Sequence, residues 1–355
     1  MSNSGIVIDG VTKRFDNFTA VDNLKITFAD SETACLLGPS GCGKTTLMRM
    51  IAGLETPTEG RIIIDGRDVT DLRPRRRNIG MVFQYPVMYQ TLSVRDNIAL
   101  PLKRDKSLST AERTKRVDEV LDVIDLWHRA DAYIDELDAG SRQKVAVGRT
   151  VARQTKVVLF DEPTTNVEIN AKITLIRTFK EISRRLRQTA IYVTHDQTEA
   201  MTLADKIALM KDGSIIQYDG PTALYRKPAT EFGGWFLGNP GMNFIAVQRT
   251  DAGLASPLLG APFPAPQALG EGAVRLGIRP EQLDARLEPF DGSVEARVED
   301  CIVGIAGQRL AQLGVAGETV KLKTGRLLHL RADDRIHIGF PAQHLLVFED
   351  GVRVA

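Results

Sequence analysis

The stretch "GPSGCGKTT" at residues 38–46 fits the pattern G-x-x-x-x-G-K-[ST] at Gly38, Gly43, Lys44 and Thr45. Gly38, Pro39, Ser40, Gly41, Cys42 and Gly43 form a loop whose backbone, together with the helix start at Lys44, Thr45 and Thr46, can cradle phosphate groups. Lys44 then reaches the β and γ groups of a nucleotide, and Thr45 ligates magnesium. Further along, "VVLFDEP" ends an apolar run on two acids, Asp161 and Glu162. The first can hold magnesium through water and the second can polarise an attacking water, because phosphoryl transfer depends on positioning and charge management rather than covalent chemistry. Two acids at a strand end mean little alone. Beside a phosphate loop they form a hydrolytic pair, with ATP and Mg2+ as the implied ligands.

These residues need a scaffold, and the apolar patterning describes one. Residues 34–37 are a short apolar run leading into the loop, and Leu47, Met50, Ile51 and Leu54 recur after it at helical spacing. "VVLF" (157–160) and "AIYV" (190–193) are similar runs, with the helical "ITLIRTFKEISRRL" between them. The pattern is that of buried parallel strands linked by crossover helices. Residues 109–126 read as a helix with a capping box at Ser109 and Glu112 and an apolar stripe at Val117, Val120, Leu121 and Ile124. "RPRRR" at 73–77 reads as a solvated loop. After about residue 235 the composition shifts: 256–272 is a Pro- and Gly-rich loop, and "SVEARVE", "TVKLK" and "RIHIGF" alternate like short strands. The expected fold is therefore α/β over 1–235, with a helical region at about 85–155, followed by an all-β barrel region over 236–355.

Composition narrows the class. The 355 residues are 43% hydrophobic and 26% charged with a net charge of +1, which gives no global attraction to nucleic acid or an anionic membrane. Cys35, Cys42 and Cys301 are too few and scattered for a disulfide framework or a zinc site, and no signal segment opens the chain. A reducing, cytoplasmic setting is the simplest reading. No apolar run approaches the roughly 18 residues of a spanning helix, so membrane service would need other chains.

Taken in order, these motifs resemble the ATPase subunit of an ABC transporter over nearly the whole chain. The resemblance implies an aromatic stacked on adenine at Phe15, with Phe18 a competing choice, a magnesium and water link at Gln84 in "GMVFQ", and a γ-phosphate contact at His195 in "VTHD". "GPSGCGKTTLMRMIAGLETPTEG" and "VTHDQTEAMTLADKIALMKDGSIIQ" are similar to the maltose-importer type, which serves sugar, polyol and glycerol phosphate uptake. "LGIRPEQL" and "HIGFPAQHLLVFEDG" resemble its regulatory domain of oligonucleotide-binding-like (TOBE-type) barrels, without implying nucleic-acid binding. The implied partners are two membrane permeases, a periplasmic or extracellular solute-binding protein and a second ATPase chain. The implied location is the cytoplasmic face of the membrane.

One half-site departs from that family. Where Leu-Ser-Gly-Gly-Gln is usual, the chain reads Leu137, Asp138, Ala139, Gly140, Ser141. That signature normally offers donors to the nucleotide on the other subunit, and Asp138 offers an acceptor instead. Asp138 is equally a good helix N-cap. "TTNVE" (164–168) also replaces the usual Ser-x-Leu-Asp type loop, with Glu168 keeping the charge on a longer arm. The residues for this chain's own ATP are retained, which favours pairing with a different ATPase, as in glycerol importers, over a homodimer. A mainly regulatory ATP-binding subunit is the second reading. A soluble ABC protein of repair or translation is the third.

Overall fold

The computed structural model describes residues 5–165, 167–304, 307–325 and 329–354, in two compact units divided between residues 221 and 222. In the first unit, β1 (Gly5–Phe15) and β2 (Phe18–Ala29) form a hairpin, and β3 (Thr33–Leu37) leads into α1 (Lys44–Ala52). β4 (Glu59–Ile64) and β5 (Arg67–Asp68) join the hairpin in an antiparallel sheet of order β2-β1-β4-β5. Next come β6 (Ile79–Val82), the helices α2 (Val94–Ala99), α3 (Thr110–Val123) and α4 (Ala139–Val151), and then β7 (Val157–Asp161). α5 (Ile169–Arg185), β8 (Thr189–Thr194), α6 (Gln197–Leu203), β9 (Lys206–Lys211) and β10 (Ser214–Asp219) complete the unit.

The second sheet runs β10-β9-β3-β8-β7-β6, parallel except for the β9–β10 hairpin. β3 and β8 are buried at every residue, as strands covered on both faces must be. Phe160 and Tyr192 stack between β7 and β8 with centroids 4.0 Å apart, and Phe179 of α5 stacks on both. α1 buries Leu47, Met48, Met50 and Ile51 in one core shared by the two sheets. The expected Leu54 is not part of that stripe: Gly53 ends the helix in the left-handed region at φ 77° and Leu54 turns out to 49% exposure.

Ser109 and Glu112 form the expected capping box on α3. The "RPRRR" reading needs correcting at its last residue. Pro74–Arg76 is an exposed turn, but Arg77 is 5% exposed and donates to the carbonyls of Thr70, Leu72, Met50 and Ile51. Its guanidinium serves the unpaired carbonyls at the end of α1.

In the second unit, α7 (Pro221–Arg226), shared with the last residue of the first, and α8 (Glu231–Phe236) precede the strands. These are β11 (Asn243–Ala246), β12 (Gln248–Thr250), β13 (Gly253–Ala255), β14 (Val274–Ile278), β15 (Asp284–Arg286), β16 (Val294–Val303), β17 (Arg309–Val315), β18 (Glu318–Thr324), β19 (Arg335–Gly339), β20 (Leu346–Glu349) and β21 (Val352–Arg353). Every pairing among them is antiparallel, in sheets β11-β14-β20-β21, β12-β13 and β15-β19-β16-β17-β18 around one apolar core. After these two short helices the unit is built of antiparallel strands and is OB-like. Arg279 lies 1% exposed, donating to the carbonyls of Tyr225, Gly234 at 2.8 Å and Leu237, with Tyr225's ring 4.0 Å away. Burial lowers its pKa, opposed by Tyr225 and Glu281.

Candidate nucleotide site

The loop 38–43 joins β3 to α1, as a phosphate cradle requires. Gly43 is the N-cap of α1 at φ 99°, where a Cβ would collide with the Ala20 carbonyl, so glycine is the residue that fits. Gly43 supplies no side-chain cap. The first amides of α1 are therefore left for an anion. Lys44 is buried, its Nζ donating to the Gly38 and Pro39 carbonyls at 2.8 Å each, with Cys42 Sγ at 3.7 Å. The amine is held inside the loop by the loop's own carbonyls.

Parallel register brings the remaining chemistry to the same sheet edge. Leu37 pairs with Thr194, and Asp161 with Val193, so Gly38, Glu162 and His195 each follow the last residue of an adjacent strand. Ligands of open parallel sheets bind at such carboxyl ends. Glu162 has φ 43° and donates its amide to the Val193 carbonyl at 3.0 Å. A non-glycine residue held in the left-handed region is strained, and strain of this kind clusters at functional sites. The bend brings Glu162 Oε1 to 3.3 Å from His195 Nδ1, and Thr165 Oγ1 donates to Glu162 Oε2 at 3.1 Å. Burial first, then the Glu162 charge, pushes the Asp161 carboxyl above its usual range, while Arg49 opposes both.

Gln84 lies in the irregular segment just after β6, the strand beside β7. Around it Phe83, Tyr85, Val87 and Tyr89 are exposed, Tyr85 and Val87 above 70%. A groove of about 490 Å³ runs past Phe83, Val87, Tyr89, Pro101, Arg149 and Arg153. Phe15 and Phe18 pair across the β1–β2 turn at 41% and 60% exposure, with Lys13 Nζ 4.8 Å from the Phe15 ring centroid. Both aromatics remain available to a base.

The ABC transporter family pattern matches residues 21–165. The sn-glycerol-3-phosphate import ATP-binding protein UgpC of Chromohalobacter salexigens is 42% identical over 357 residues, covering 98% of this chain and 95% of that protein. The chain belongs to the ATP-binding subunits of ABC importers. The diacetylchitobiose uptake ATP-binding protein MsiK of Streptomyces coelicolor is 40% identical over 309 residues, covering 85% and 81%. A dimeric post-hydrolysis structure of the ATP-binding cassette MJ0796, bound to ADP and Pi, aligns at TM-score 0.53 and 28% identity over 61% of this chain and 98% of that one. As a member of this family the subunit binds ATP and is an ATPase coupled to import.

The residues read from the sequence as the half-site offered to another subunit sit on a different element. Asp138 is the N-cap of α4: its Oδ1 accepts the Ser141 amide and its Oδ2 the Ser141 hydroxyl, both at 2.8 Å. The Ser141 amide chiefly holds the Asp138 carboxyl below its usual range, against a desolvation penalty. Ala139 is exposed and Gly140 buried. In the loop 164–168, Asn166 lies outside the described residues.

Sequence reasoning missed the polar cluster that Thr164 forms with Lys172, Asp196 and Glu199, in which Thr164 and Glu199 are buried and Lys172 and Asp196 partly exposed. The Asp196-x-x-Glu199 spacing of a capped helix was the available signal. Its long-range partner, Lys172, left none.

Proposed function

We propose that this subunit grips its ATP with residues 38–46, hydrolyses it with Glu162 and His195, and energises polyol or sugar import in a pair with a different ATPase chain. The observation that carries the reading is a contrast. Lys44, Asp161, Glu162 and His195 converge on one sheet edge, while the helix start that would serve the partner's nucleotide is capped by its own Asp138. Two unit charges about 4 Å apart repel by about 1 kcal/mol in water and about 4 kcal/mol at an effective dielectric of 20. A γ-phosphate carries more than one charge, so Asp138 disfavours its approach.

At this chain's own site, Glu162 orients and polarises the attacking water. With Nδ1 of His195 engaged by Glu162, Nε2 is the ring nitrogen left for a γ-phosphate oxygen. Phe15 is assigned to the adenine. Among the described residues no cluster of three or more His, Cys, Asp or Glu could hold an ion unaided. Thr45, Gln84 and the half-buried Asp161 fit magnesium held largely by phosphate and water. There it supplies neutralisation of charge on the β and γ groups.

Exposed apolar surface around 83–89 supports a docking role, with Gln84 linking it to the site. Its partners are two permeases, served in turn by a solute-binding protein, and the subunit sits peripherally at the cytoplasmic face of the membrane. Among the described residues no helix is long and apolar enough to cross it. The OB-like unit is assigned as a TOBE-type regulatory domain. Relatives named for glycerol 3-phosphate and diacetylchitobiose uptake support the solute class, within which glycerol is favoured.

The test is purification of the complex with its membrane partners and identification of every ATPase chain in it. One copy of this chain with one different ATPase is expected. Two copies of this chain and no other ATPase overturn the pairing and leave a homodimer in which both sites face Asp138.

A further inference from the structure

Beneath the groups assigned to ATP lies one buried charge that ties their two carrier segments together. Glu199, 6% exposed, accepts from Thr194 Oγ1 at 2.6 Å and from Thr164 Oγ1, and lies 2.6 Å from Lys172 Nζ. Lys172 also donates to Asp196 Oδ2 at 2.8 Å. Asp196 in turn caps α6 through the amides of Thr198 and Glu199, and donates its own amide to Thr194 Oγ1 at 3.0 Å.

These groups come from both sides of the site. Thr164 follows Glu162 by one proline, Thr194 and Asp196 flank His195, and Lys172 lies in the first turn of α5, at the end of the loop that leaves Glu162. Burial opposes charge on Lys172, but its bonds to Asp196 and Glu199 outweigh that and raise its pKa; the Asp196 carboxyl is held low in spite of its own burial. Lys172 and Asp196 are thus favoured in their charged forms, and removing Lys172 would take from the buried Glu199 carboxyl the cation 2.6 Å from it.

We propose that Lys172 is a positioning residue for hydrolysis: through Glu199 and Asp196 it locks the Glu162 loop to the His195 turn, so that both side chains face one γ-phosphate. This rests on the hydrolytic reading of Glu162 and His195.

The experiment compares Lys172→Met, Lys172→Arg, Thr164→Val and Glu162→Gln in the assembled transporter, measuring kcat, ATP dissociation constant and amide hydrogen exchange. Lys172→Met should lower kcat roughly ten- to hundredfold, the scale of a small misplacement of reacting groups, with ATP affinity within about twofold. Lys172→Arg should recover most of the loss, and Thr164→Val should reproduce a smaller part of it. Exchange should quicken at residues 162–165 and 194–197 while α1 keeps its protection. A kcat within about twofold of wild type in Lys172→Met overturns the proposal, as does a parallel loss of ATP binding with faster exchange throughout the unit. Glu162→Gln separates the two ideas. Wild-type turnover there removes the hydrolytic reading and the lock with it; lost turnover there beside wild-type turnover in Lys172→Met removes the lock alone.

Discussion

α1 and α4 treat the free amides at their starts in opposite ways. α1 starts from Gly43, which offers no capping side chain, while α4 starts from Asp138, whose carboxylate takes the Ser141 amide and hydroxyl. A helix N-terminus is an anion receptor only while its donors are unspent. The two caps differ in side chain and in backbone: Gly43 is left-handed at φ 99° with no capping group, and Asp138 is extended at φ -68° with its carboxylate spent on Ser141.

The sharpest test of the open end is Glu162→Gln, with the partner's site disabled. ATP binding should persist while turnover falls by about a hundredfold or more, the usual reach of acid–base assistance. Equal rates for variant and wild type would remove Glu162 from hydrolysis. A smaller effect is expected from Phe15→Ala, which should weaken ATP binding roughly tenfold, within the range of base–aromatic stacking. If Phe18→Ala carries that loss instead, the adenine assignment moves across the hairpin.

The closed end is tested by reopening it. Asp138→Ser, Ala139→Gly and Ser141→Gln together should speed single-turnover hydrolysis at the partner's ATP by about fivefold, the equivalent of ~1 kcal/mol of relieved repulsion. The measurement uses Glu162→Gln in this chain, so that only the partner's site reports. No change in rate, with an otherwise intact partner site, sinks the electrostatic account.

The smallest effect concerns the cap itself: Asp138→Ala should cost about 1 kcal/mol of unfolding stability at neutral pH. Because the folded Asp138 carboxyl titrates below its unfolded value, its contribution is complete above about pH 4 and declines as pH falls through the folded pKa. Denaturant melts of both proteins across acid pH would show the difference shrinking. A constant difference would mean that the charge plays no part in the cap.

The open end was legible because its causes are local. A glycine-rich run between an apolar strand and a helical stripe, and acids at the end of a second apolar strand, specify both element and position. The register that pairs Leu37 with Thr194 and Asp161 with Val193 follows from parallel pairing, but the strain at Glu162 and its reach to His195 do not. The ends of elements were less legible. Gly53 stops α1 before Leu54, and Arg77 answers carbonyls on α1 and the 70–72 turn that no local pattern announces. Lys172 was invisible for the same reason: its partners meet it only after β8 has paired with β7.

Arg279 has a consequence for how the chain can be divided. Composition changes after about residue 235, yet this buried cation draws its acceptors from Tyr225, Gly234 and Leu237. Cleavage at 235 would carry two of those three carbonyl acceptors away with the ATPase, leaving the barrel fragment with a desolvated guanidinium and too few acceptors. A break between 221 and 222 keeps the cation and its whole acceptor set on one piece. That division lies ahead of α8, at a place marked by one arginine more than fifty residues downstream.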